Sequence, residues 1–187
     1  DGTTISDYDD EEHRRKISIY TSVVPVEHKN YKINFLDAPG YTDFVGEVVS
    51  TLSVADGAII LVDAVAGIEV GTELAWRYCD QFNLPRFFLI NKMDRENADF
   101  QKTYDAIKEF IEAHGKRVVQ VHIPIGEKQN FKGVVDVIGM KAYLGDGKTT
   151  AEIPADLKEA AEKAHFAMVE DAAEGEDELM EKYLENG

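Results

Sequence analysis

Residues 37–40 read Asp37-Ala38-Pro39-Gly40, and residues 91–94 read Asn91-Lys92-Met93-Asp94. Each closes an apolar, β-branched run, so each sits where a strand would end. Open α/β sheets bind their ligands outside those strand ends. An aspartate at such a tip can hold a hydrated magnesium ion through its waters. A glycine lets the backbone come close enough for its N–H to meet a terminal phosphate oxygen. The second stretch is more selective. The Asp94 carboxylate can accept from both the N1–H and the exocyclic amine of guanine. Adenine lacks that pair of donors and would leave a buried carboxylate unpaired, so such a site rejects it. Asn91 bonds the guanine edge or braces the loop, and the Lys92 stem can lie over base and ribose. A DxxG pattern alone recurs by chance, and a polar turn often closes a strand. The two together, one strand–helix–strand–helix–strand passage apart, point to a guanine nucleotide. Tyr41 follows Gly40 directly. Its phenol can donate one hydrogen bond and position a water but is a poor base. The alternative is that Tyr41 packs into its own loop.

The elements that must carry these turns are legible as patterns. Residues 17–28 read ISIYTSVVPVEH, a strand, and a turn at Lys29-Asn30 leads to a second strand over 31–37. The two predict an antiparallel hairpin. Phe44, Val45, Val48, Val49 and Leu52 follow at helical spacing. AIILVDA, residues 58–64, reads as a strand buried on both faces. Leu74, Tyr78 and Phe82 mark a helix, and residues 85–94 another buried strand. A helix over 98–114 buries Phe100, Tyr104, Ile107 and Ile111 and stops at Gly115. Residues 117–125 form the next strand. This alternation predicts an α/β domain round a mainly parallel sheet. Beyond residue 125 the pattern changes to short antiparallel strands and then two helical stretches broken near Gly175. The expected organisation is residues 1–125 as the sheet domain and 126–187 as a small α+β subdomain.

Bulk properties narrow the classes. The 187 residues support one sizeable core, or one with an appendage. No apolar run approaches a membrane span, and the first residues carry no apolar stretch of signal type. The one cysteine, Cys79, cannot form an internal disulfide, which suits a reducing compartment; a buried helix position is expected for it. Acids number 36 against 20 bases, a net charge of -16. That surface repels nucleic acid backbone, so DNA is not an expected partner and RNA contact needs a local patch or another domain. The acids cluster at residues 7–12 and 170–181, most simply as solvated faces. The five histidines have no metal-ligand spacing.

At this point the chain resembles the GTP-binding domain of translational GTPases, and elongation factor G most closely. The matching stretches are INFLDAPGYTDFVGEV, DGAIILVDAVAGIEVGTELAWR, LPRFFLINKMDRENADF, IPIGEKQNFKGVVDVIGMKAYL and DELMEKYLENG, in one collinear order. The last two resemble the insert subdomain of that family. The resemblance implies a P-loop NTPase-type fold, GTP or GDP with Mg2+ as ligands, a cytoplasmic location and the ribosome as partner. It implies that Asp37, Ala38, Pro39, Gly40 and Tyr41 face the phosphates and that Asn91, Lys92, Met93 and Asp94 hold the base. It also implies that Ser18 and Asp37 serve the metal.

Four departures qualify it. No GxxxxGKS/T loop occurs in the chain; in the family it precedes the stretch aligned with residue 1. The family's short loop behind the guanine would follow residue 187. The resemblance therefore implies an internal slice of a GTPase domain, without the phosphate-loop strand and with weak GTP binding on its own. Residues 15–19 read RKISI where the family has RGITI, so Ser18 keeps the hydroxyl expected on magnesium and Lys16 replaces a glycine. Tyr41 stands where elongation factors carry the histidine that orients water. The implied function is a GTPase coupled to ribosome translocation. The alternatives are a ribosome-associated switch with slow or no hydrolysis, or an acidic α/β fragment without activity of its own.

Overall fold

The computed structural model describes residues 4–145, 147–175, 179–181 and 183. The chain divides into two compact units.

The first unit is Asp1–Val62 with Ile68–Leu89. It opens on α1 (Asp10–Arg15), capped by Asp9 and Glu12 in a reciprocal box, with acids in the first turn and bases in the last. Then come β1 (Ser22–His28) and β2 (Tyr31–Asp37), an antiparallel hairpin in which Ser22 faces Asp37 and His28 faces Tyr31. Lys29 and Asn30 turn it with φ of 46° and 68°, the left-handed pair that a two-residue hairpin loop needs. The strand starts at Ser22, not at residue 17. The reason is Glu12: its carboxylate takes the N–H groups of Ile19 and Tyr20, which are therefore lost to the ladder. A 3-10 turn at Thr42–Phe44 leads into α2 (Val45–Leu52), and the Glu47 carboxylate accepts the Thr21 N–H at 2.9 Å.

β3 (Ala58–Asp63), α3 (Val70–Gln81) and β4 (Arg86–Asn91) follow. β3 pairs only with β4 among the described residues. Ala58 donates to the Pro85 carbonyl and Ala64 to that of Asn91, the same separation along both strands, so the pair is parallel. Among the described residues one face of this strand pair is covered and the other is not. Ile60 and Val62 are buried, but Ile59 and Leu61 are 49% and 60% exposed, and Phe87 and Leu89 are exposed on β4. An apolar run says which residues can be buried, not what packs on them. Cys79 is fully buried within α3, as its helix position predicts. Phe88 stacks on Trp76, and the Arg86 guanidinium lies 3.9 Å over the same indole.

The second unit is Asp63–Gly67 with Ile90–Gly187. α4 (Phe100–Ala113) starts at Asp99, whose carboxylate accepts the Lys102 N–H, and buries Ile107 and Ile111. β5 (His122–Ile125), β6 (Gly133–Asp136), β7 (Lys141–Leu144) and β8 (Thr149–Ala151) make a four-stranded antiparallel sheet in chain order. α5 (Lys158–Ala173) contributes Ala161 to the same core as Ile123, Ile125, Val135, Val137 and Ala142. Residues 117–121 are not strand, and β5 pairs antiparallel with β6 instead of joining a parallel sheet. The described sheets are thus small and only partly parallel, a mixed α/β architecture. Of the expected last helical stretch, residues 179–181 and 183 are helical; the rest lies outside the described residues.

Candidate functional site

The two motifs fall in different units. In the first, Asp37 ends β2 with its side chain exposed. Pro39 is fully buried and pins the turn, which leaves its neighbours to face out. Gly40 is exposed and its φ is outside the left-handed region. A Cβ built on it meets nothing within 4 Å. The fold itself therefore does not require glycine there. The open space fits a group that must approach the backbone closely, as a phosphate oxygen would. Tyr41 starts the 3-10 turn, its carbonyl accepting the Phe44 N–H at 3.0 Å. Its side chain is 57% exposed.

Ser18 is half-buried and its hydroxyl donates to Asp7 Oδ1 at 2.7 Å. That bond uses the proton and leaves oxygen lone pairs for a cation. A hydroxyl and a carboxylate are both oxygen donors of the kind magnesium takes. The segment that carries Ser18 is organised by Glu12. This carboxylate is fully buried and accepts four backbone N–H groups, from Tyr8, Asp9, Ile19 and Tyr20, at 2.8 to 3.1 Å. Burial alone would raise its pKa. The four donors outweigh burial and hold it below the usual carboxylate range.

In the second unit, residues 91–94 form a turn with one anchor. Met93 is buried with Ala64 and Ala98, against Ile90 and Phe100. Asn91, Lys92 and Asp94 are consequently exposed on either side of it. Asn91 Oδ1 accepts the Lys92 N–H at 2.8 Å, so it braces the loop. Lys92 takes φ of 61°, and its ammonium meets Asp63 Oδ2 at 2.6 Å. The Asp63 carboxyl lies below its usual range because of that ammonium first and the Val65 N–H second. Asp63, Val65, Lys92, Arg95, Glu96 and Asn97 line an open hollow of about 400 Å³. Sequence reasoning passed over Asp63, Arg95 and Glu96. The signal for Asp63 was its place at the tip of β3, in parallel register beside the tip of β4. The loop that follows β5 also reaches this turn: Lys128 donates its N–H to the Met93 carbonyl at 3.1 Å.

Comparison with known proteins places the chain in a family. The model of the elongation factor Tu GTP binding domain family matches residues 1–184. Among solved structures, the chain is similar to a protein of Thermus thermophilus known from its crystal structure, with 33% identity and a TM-score of 0.85. The match covers 98% of this chain and 27% of that one, so the chain spans about a quarter of that relative's length.

Proposed function

The chain belongs to the elongation factor Tu GTP-binding domain family, and from that membership we propose that it serves a translational GTPase of elongation factor G type. In this reading GTP hydrolysis by the complete protein is coupled to ribosome translocation. Residues 1–125 are part of the GTP-binding domain and residues 126–187 its insert subdomain. The observation that carries the reading is the turn at residues 91–94. A buried Met93 leaves Asn91, Lys92 and Asp94 exposed around it, with Lys92 on the wall of an open hollow, an arrangement that suits a guanine-selecting loop.

The roles follow from chemistry. The Asp94 carboxylate accepts from the guanine N1–H and exocyclic amine, and Asn91 keeps the turn in shape. The Gly40 N–H donates to the terminal phosphate. Ser18 and Asp37 are the residues that would hold magnesium. Magnesium, when bound, neutralises charge on the phosphates. The exposed Tyr41 hydroxyl donates to and orients the attacking water. Phosphoryl transfer depends mainly on positioning and electrostatics, so a phenol in place of a base slows hydrolysis without abolishing it. The ribosome is the proposed partner.

The test is single-turnover, ribosome-stimulated GTP hydrolysis by the complete protein, with Tyr41 and with Tyr41→Phe. Hydrolysis that slows strongly in the phenylalanine form assigns the water to the phenol. Equal rates remove Tyr41 from the chemistry. Tight GTP binding without hydrolysis in either form replaces the GTPase with a ribosome-associated switch, the reading that a tyrosine at this position also allows.

A further inference from the structure

Lys92 is held at both ends. Its backbone sits at φ of 61°, with its N–H bound by Asn91 Oδ1. Its ammonium ends on Asp63 Oδ2 at 2.6 Å. Asp63 is itself immobilised: Oδ1 accepts the N–H groups of Val65 and Ala66 at 2.8 and 3.3 Å, and its carbonyl accepts the Gly67 N–H at 2.8 Å. The Asp63 side chain is 23% exposed and that of Lys92 49%. The ion pair at the ammonium restricts the four-carbon stem and so reduces the rotamer freedom it would lose on binding a ligand. The stem forms part of the wall of the hollow between Asp63 and Arg95.

We propose that Asp63 is a positioning residue for nucleotide recognition: it anchors the Lys92 ammonium to one side so that the Lys92 stem presents an apolar wall to the purine. The inference rests on reading residues 91–94 as the guanine site. In this proposal Asp63 acts on the nucleotide through Lys92. The low carboxyl pKa of Asp63 keeps the anchor charged at neutral pH.

The experiment is a double-mutant cycle on the complete protein, with GDP affinity measured for wild type, Asp63→Asn, Lys92→Met and the double variant. Asparagine keeps an oxygen for Val65 and Ala66 but removes the charge that Lys92 meets, so the turn survives. Asp63→Asn weakens GDP binding about two- to fivefold, the scale of a partly exposed ion pair. In the Lys92→Met background the same substitution has no further effect. A loss of equal size in both backgrounds makes Asp63 merely structural and overturns the inference. Unchanged or tighter binding by Asp63→Asn overturns it too. If wild type binds no guanine nucleotide, the reading of residues 91–94 fails, and this inference with it.

Discussion

The Lys128 N–H donates to the Met93 carbonyl oxygen across 3.1 Å, which ties the loop after β5 to the turn that carries Asn91, Lys92 and Asp94. The tie depends on a loop that only glycine can start. Gly126 has φ of +77°, and a Cβ there would stand 2.1 Å from the Asn130 carbonyl oxygen. Backbone cannot yield as a flexible side chain does. Gly126→Ala should cost about 2–4 kcal/mol. A denaturant midpoint equal to that of wild type would rule out this loop geometry.

Glu12 gives a second prediction. Glu12→Gln replaces one acceptor oxygen by a donor facing N–H groups, so two of its four backbone partners lose their acceptor. The expected cost is about 2–4 kcal/mol. Amide exchange should accelerate at either Tyr8 and Asp9 or Ile19 and Tyr20, depending on which oxygen is replaced. Uniform exchange across the unit would contradict it.

The pH dependence of the same group has a definite sign. Its folded pKa lies below the ordinary 4.5. Its contribution is therefore fully present above about 4.5, where the unfolded group is ionised, and is lost as pH falls through the lower folded value. Stability of the wild type should fall with acid below that point more steeply than that of Glu12→Gln. Parallel pH curves for the two would sink the assignment.

Lys16 takes φ of 58° and ψ of 40° as the residue that ends α1, a conformation costly for any side chain. Lys16→Gly should stabilise by up to about 1 kcal/mol, and Lys16→Val should destabilise, because a branched Cβ resists the left-handed region. Thermal melting of the two variants decides it: both shifting the same way would mean the backbone has another shape.

Tyr41, at 57% exposed, contributes little packing. Tyr41→Phe should leave stability within about 0.5 kcal/mol of wild type. A larger shift in chemical denaturation would give the hydroxyl a structural bond, and hydrolysis rates of that variant would then lose their simple meaning.

Much of the local structure is legible in residue order alone. The hairpin turn at Lys29 and Asn30, the helices at 70–81 and 100–113, and the burial of Ile107, Ile111 and Cys79 all follow from spacing and residue type. So does the chemistry offered by Gly40 and by Asn91, Lys92 and Asp94, because type and strand-tip position are local properties. The start of β1 is not legible, since it depends on a carboxylate seven residues before Ile19 taking that residue's N–H.

The sequence by itself determined the amphipathic pattern and the turn residues. Tertiary structure alone decided three things. It buried Ile60 and Val62 and left Ile59 and Leu61 exposed among the described residues. It turned β5 into an antiparallel partner of β6. It brought Asp63 to Lys92, 29 residues along the chain, because two parallel strands end side by side. Periodicity reports what each residue can do next to its neighbours. Which distant partner it meets is set by strand pairing, and no short window of sequence contains that.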